Sequence, residues 1–282
     1  MVISFVRPKM GMFFGPYLDY LLMILIFLSC LDVDIGKFRA TVKEYRKLAG
    51  ELAVVHLASP LIVWVLRKCF SPEIFLGMIL VTAVPTGRSA VFLSNIFGGE
   101  AEKALVISTL SNVLSPVIVP FLVLALAGQE ININWVQMGG SMGKLVIVPI
   151  VIALVVRKVK IIEKINRYNL EISTFLVFLI VMGIIAPIKE QVSGNWALSI
   201  GLLLVGLVLM TINFLAGYRI GQSQKEKITF GISASYKNYS LATVVALTLF
   251  SPIVALPSLV YAVANNLLLI PIQWWLSRKA VK

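Results

Sequence analysis

Two cations lie where the surrounding chain is too apolar to leave them idle. Arg88 falls in Pro85-Thr86-Gly87-Arg88-Ser89-Ala90, between the apolar runs Ile74–Val84 and Val91–Phe97. Lys237 falls in Ser233-Ala234-Ser235-Tyr236-Lys237-Asn238-Tyr239-Ser240, between Ile228–Ile232 and Leu241–Phe250. A guanidinium offers a planar fork of donors suited to a carboxylate or phosphate, and an ammonium offers a compact point charge. Thr86, Ser89 and Asn238 add neutral donors and acceptors that orient a bound group. The chemistry offered is anion binding, with proton loading at the lysine as a further possibility. Catalysis is poorly served, because His56 is the only histidine and neither run holds a carboxylate.

The elements that must position these residues are membrane spans. Of 282 residues, 59% are apolar and 13% charged, and the mean hydropathy is +0.94. A typical globular chain is about 25% charged. The composition excludes a disordered chain, a nucleic-acid module and a soluble enzyme, and the net charge of +12 reads as loops facing anionic lipid. Cys30 and Cys69 are too few for a disulfide framework and lack metal-ligand spacing. With about 20 apolar residues per crossing, the chain divides into nine spans: 15–34, 48–66, 74–97, 101–126, 136–156, 170–188, 196–217, 228–250 and 254–276. No small-residue cleavage site follows the first run, so it is retained as a span.

Arginine and lysine orient the array. Seventeen fall on one side, in the 35–47 and 157–169 loops, at Lys103, at Arg219, Lys225 and Lys227, and in the tail; six fall on the other. The positive-inside rule places the C-terminus in the cytoplasm and the N-terminus outside, in the cell (inner) membrane. The remaining two cations are Arg88 and Lys237, the ones that fall within the polar interruptions of spans.

Proline removes a backbone donor and glycine is permissive, so Pro85 and Gly87 predict a broken third span. The polar 233–240 stretch predicts a broken eighth. A single break is often only a kink. An arginine or lysine at mid-span costs roughly 2.5–3.5 kcal/mol, which makes it functional by default. Breaks at matched places in two halves point to a transporter binding site. The third and eighth spans are five apart, an odd number, so the halves are inverted. The expected fold is an all-α polytopic membrane protein, one transporter domain over 1–282. Its first repeat is 15–126 (four spans) and its second 136–276 (five spans).

Ser108, Ser111, Asn112 and Ser115 share one face of the fourth span, and Asn265 and Asn266 lie in the ninth. They either hydrogen-bond neighbouring helices or line a cavity beside the breaks. His56 reads as a packing histidine, with a proton relay as the alternative. Asp19 and Glu51 lie near span ends and read as interfacial.

These residues resemble the bile acid:sodium symporter family. Thr82–Pro116, with Pro85-Thr86-Gly87 and Ser108-Thr109-Leu110-Ser111 through Ser115-Pro116, resembles the family's fourth and fifth helices without a gap. Tyr236–Leu241 through Pro257 and Asn265 resembles its ninth and tenth, and Gly15-Pro16-Tyr17 with the turn at Leu31–Phe38 resembles the end of its first loop and its second helix. The resemblance runs collinearly over essentially the whole chain. It implies two unwound, crossing helices (the third and eighth spans) and a member lacking the family's first helix. It also implies two sodium ions held by oxygens about the crossing. At the corresponding ligand positions stand Ala90 and Val91 after the first break, Ala104 and Ser108 on the next helix, Ser233 for a shared glutamate, and Lys237 and Val55 for two glutamines. Arg88 stands where the family has a threonine near the substrate. Hard cations need several oxygens, and most are absent.

The function expected is a secondary active transporter of a small organic anion, working by alternating access in a lipid membrane without nucleic acid, metal or cofactor. Arg88, Thr86, Ser89, Asn238 and Asn265 form the expected substrate site. Lys237, with Ser233, Ser108 and Asn112, replaces the bound cations, so that sodium is dispensable and a proton is the candidate coupling ion. The alternatives are a sodium-coupled organic acid symporter with a rebuilt ion site and, from other classes, an integral-membrane enzyme or an anion channel.

Overall fold

The computed structural model describes residues 8–31, 36, 41–128, 134–156, 162, 165 and 167–280. Arg7, Asp32, Asp34, Lys37, Arg39, Arg157, Lys158, Lys160, Lys164 and Lys282, and most of the turn at Leu31–Phe38, lie outside the described residues. The described chain is helical, with one isolated antiparallel β-bridge between Thr86 and Lys237.

The helices are α1 (Pro8–Phe14), α2 (Leu18–Leu31), α3 (Tyr45–Ala53), α4 (Ser59–Val65), α5 (Pro72–Ala83), α6 (Ser89–Ile96) and α7 (Ala101–Ala127). There follow α8 (Trp135–Val156), α9 (Asn169–Gly194), α10 (Trp196–Ile220), α11 (Gln224–Ser235), α12 (Tyr239–Leu249) and α13 (Pro252–Ala280). A π-turn over Val54–Ala58 joins α3 to α4. Among the described residues, six continuous helical stretches are long and apolar enough to cross a membrane: Gly11–Leu31, Tyr45–Val65, Ala101–Ala127, Val136–Val156, Trp196–Ile220 and Pro252–Leu276. Apolar side chains such as Val117, Val155 and Ile270 are exposed on the outer faces of these helices. The chain is an integral membrane protein.

The third and eighth spans are each made of two short helices. At about 1.5 Å per residue, the 12 residues of α5 reach about 18 Å, too short to cross alone. Pro85 ends α5: the residue before a proline is pushed out of the helical region, and Val84 is extended with ψ 156°. Helix resumes at Ser89. The eighth span begins with an N-cap in which Ser223 Oγ accepts from the Glu226 N–H at 3.1 Å. The break here is narrower than the sequence suggests. Ser233–Ser235 stay helical, with Ser235 Oγ donating back to the Gly231 carbonyl (2.9 Å), and only Tyr236–Asn238 leave the helix. Asn238 caps α12 by accepting from the Leu241 N–H at 3.1 Å.

These half-helices are exchanged between partners. Helix α5 packs beside α12, α7 and α13, and α6 beside α11 and α7. A second group, α1, α2, α8 and α9, packs together and meets this core through α8 on α7 and α9 on α13. Helix α10 lies on α11 and α13, while α4 and the π-turn lie on α5.

Candidate functional site

The two breaks meet. The Gly87 N–H donates to the Tyr236 carbonyl and the Asn238 N–H to the Pro85 carbonyl, both at 2.8 Å. Glycine is required here: a Cβ on Gly87 would lie 2.7 Å from the Lys237 carbonyl oxygen. Thr86, fully buried, is held on every side. Its N–H donates to Ser111 Oγ (3.2 Å), its hydroxyl donates to the Ser233 carbonyl (2.8 Å), and its carbonyl accepts from Ser108 Oγ and Asn112 Nδ2 (3.3 Å each). The polar face of α7 thus satisfies the backbone that the break exposes, where an unpaired amide in hydrocarbon would cost several kcal/mol. The Thr86 side chain faces the other break and fastens the crossing.

A cavity of about 130 Å³ opens beside it, lined by Gly87, Arg88, Ser89, Ser108, Asn112, Lys237 and Asn238, and closed by Leu22, Leu25, Ser29 and Cys30 of α2 with Val177 of α9. The structure therefore gathers Arg88, Ser89, Asn238, Ser108 and Asn112 around one space. Ser233, buried with its hydroxyl unpartnered, lies behind the crossing. Asn265 is buried in α13 away from this lining.

Arg88 reaches across the cavity to α9. Nη1 donates to Ser173 Oγ (2.6 Å) and Nη2 to Asn169 Oδ1 (2.9 Å); Asn169 Nδ2 in turn donates to the Leu28 carbonyl at 2.9 Å. Asn169 and Ser173 escape sequence reasoning because they open the sixth span, where polar residues are ordinary. Their i, i+4 spacing is the one available signal.

Lys237 contributes backbone and stem to the crossing, but its ammonium turns the other way. It is buried, and Nζ donates to the Val55 carbonyl. That carbonyl lies in the π-turn, and Pro60, five residues on, has no N–H to offer it. The signal was Ser59-Pro60 within a span. Beside it, His56 is buried with Nδ1 2.8 Å from the Ala83 carbonyl, which is freed where α5 ends. Glu51, expected at an interface, is fully buried, and neither carboxylate oxygen has a hydrogen bond. Its burial comes from the packing of α3 against α7, α10 and α11.

At one end of the bundle an ionic cluster ties three segments. Glu226 accepts from Lys103 Nζ (2.6 Å), Lys47 Nζ (3.0 Å) and the Gln222 N–H (2.9 Å), and Lys103 also pairs with Glu44 and Glu100. Burial opposes ionisation of Glu226, but these hydrogen bonds prevail and hold its carboxyl at about 2.

In a comparison of the sequence with known families, residues 20–195 match the model described as the Sodium Bile acid symporter family. The chain belongs to this family. Two relatives come from Bacillus subtilis (strain 168). An uncharacterized sodium-dependent transporter, YocS, is 25% identical over 277 residues, covering 94% of this chain and 84% of the relative. An uncharacterized protein, YbaS, is 22% identical over 274 residues, covering 93% and 89%. As a member of the Sodium Bile acid symporter family, the protein is a membrane transporter. The Val55 carbonyl is taken by the Lys237 ammonium, and Ser233 stands at the position where the resemblance implies a glutamate.

Proposed function

We propose that this transporter carries a small organic anion by alternating access and does so without sodium. The observation that carries the reading is the Lys237 ammonium bonded to the Val55 carbonyl, at two positions where the family resemblance implies sodium ligands. A tethered cation there supplies the charge that a bound ion would.

The anion binds in the cavity against Arg88. Two of the guanidinium's bonds go to neutral acceptors, Ser173 and Asn169. A carboxylate makes stronger, charge-assisted bonds and displaces them. Ser89 and Asn238 orient it, and the Asn238-capped start of α12 adds the positive end of a helix dipole. Because Arg88 bridges from the crossing to α9, exchanging Asn169 and Ser173 for an anion loosens the third, fourth, eighth and ninth spans from the group they move against. The repeats are 15–126 and 136–276, inverted. The N-terminus is outside and the C-terminus cytoplasmic; labelling of a cysteine placed at Lys282 by an impermeant reagent in intact cells contradicts that orientation.

The test is a thermal-shift screen of purified protein against small organic acids, with and without sodium, followed by uptake into proteoliposomes. Stabilisation by an acid that is the same in sodium and choline supports the reading, and stabilisation only in sodium overturns it.

A second reading is symport with sodium at a rebuilt site. It is favoured by the unpartnered oxygens of Ser233 and Asn112 beside the crossing and by the name of the relative YocS. The sodium replacement above separates the two.

A further inference from the structure

We infer that Glu51 and Lys237 together form a buried proton-binding pair, the site through which this carrier couples to a proton gradient. The inference deepens the proposed sodium-independent transport and rests on it for its role, but the site itself is tested without any transport.

Glu51 has no exposed surface, and neither of its carboxylate oxygens receives a hydrogen bond. It lies on α3 one turn before Val55, and residues at i and i+4 share a helix face. The Val55 carbonyl accepts from Lys237 Nζ, so the acid and the ammonium occupy one buried compartment and act on each other electrostatically. An ammonium has three donors, and the Val55 carbonyl takes one. A desolvated carboxylate without hydrogen bonds is costly. Two arrangements relieve it: the ionised acid draws on the ammonium, or the acid is protonated.

The other ionisable groups facing this compartment are accounted for. His56, in the π-turn, meets the Ala83 carbonyl through Nδ1, and its Nε2 is buried without a hydrogen-bond partner. Tyr236 is buried in the break. On α7 and α11, Lys103 and Glu226 are bound to each other at the end of the bundle. On α10, Tyr218 bonds Gln224, and Arg219 lies in the last turn. Glu51 and Lys237 are an oppositely charged pair among these groups, an acid and an amine in one buried compartment.

The charges then balance. In the empty carrier the pair holds one proton between its two bases and is neutral. With both bases protonated the pair carries one positive charge, which balances one monovalent anion at Arg88. Release on the far side returns that proton with the anion. The coupling site and the substrate cavity lie on opposite sides of the same crossing, joined by the Lys237 backbone.

The test uses purified protein in phosphatidylcholine vesicles with no substrate, compared at acidic and alkaline pH by infrared difference spectroscopy. The wild type should show the carbonyl band of a buried carboxylic acid that comes and goes with pH. E51Q should lose that band alone, and K237M should keep it while moving the pH at which it disappears. An E51Q spectrum identical to wild type, or a band in K237M that titrates as before, overturns the pair. Should E51Q not assemble, E51D keeps the acid on a shorter stem and should shift the band; an unshifted band there also overturns it. Because no anion is present, failure of organic anion transport leaves this result untouched.

Discussion

Thr86 and Lys237, one from each broken span, are paired as an isolated antiparallel β-bridge among described residues that are otherwise helical or in turns. The bridge is what lets the cavity side of the crossing carry Arg88 while the reverse side carries the Lys237 ammonium.

Gly87→Ala tests that pairing. The new Cβ would lie 2.7 Å from the Lys237 carbonyl oxygen, a backbone atom that can yield only by parting the bridge. Overpacking of this kind costs about 1–3 kcal/mol. Thermal unfolding in detergent should show the loss, and uptake should fall with it. A variant with wild-type stability and uptake contradicts the close approach.

Arg88→Lys keeps the charge and loses the fork, so anion affinity should fall about tenfold, and Arg88→Ala should fall about a hundredfold, as expected for one and then two charge-assisted bonds. Both variants should still insert, because removing the guanidinium or shortening its reach makes the span no more polar. Uptake kinetics measured on both decide the matter; unchanged kinetics in the alanine variant remove Arg88 from the site.

Replacing sodium by potassium or choline should leave initial uptake of the anion found by screening unchanged. An imposed pH gradient, acid outside, should drive accumulation, and Lys237→Gln should abolish that response while returning one potential oxygen ligand at position 237. A steep dependence of wild-type uptake on external sodium sinks the proposal.

Much of this arrangement is legible in the sequence. Pro85 and Gly87 mark the first break because proline and glycine act locally, and Arg88 and Lys237 mark depth because a charge there is costly wherever the chain folds. The extent of the second break is not legible: Ser233–Ser235 look like loop, yet Ser235 satisfies itself on Gly231 and stays helical. Glu51 is the larger miss. Four residues after Lys47 it reads as the polar end of a helix, and only the packing of α3 against α7, α10 and α11 closes it from solvent. The sequence marks Lys237 as a cation within an apolar span, but which way its ammonium turns depends on the carbonyl that the π-turn and Pro60 leave without an N–H.

Glu226 gives a pH prediction for stability. Its carboxyl is held at about 2 in the folded protein, below the ordinary value of about 4.3. A depressed acid stabilises the fold above the unfolded value, and that contribution is lost as pH falls from there toward 2. Glu226→Gln should therefore lower stability by about 1–3 kcal/mol at neutral pH. The gap to wild type should narrow on acidification, as read by thermal unfolding across that range. A gap that stays constant with pH assigns the loss to packing instead.

The mutual satisfaction of the two breaks also bears on how the chain is made. Thr86 gives its hydroxyl to Ser233, 147 residues further along the sequence. Until that segment is synthesised, the peptide groups at Pro85 and Gly87 have no partner in the bilayer. The third span must wait, half committed, at the translocon or in the care of neighbouring helices, and assembly of the first repeat is completed only by the second. A chain ended after α10 should therefore be cleared by membrane proteases, and co-expression of residues 222–282 as a separate fragment should rescue it.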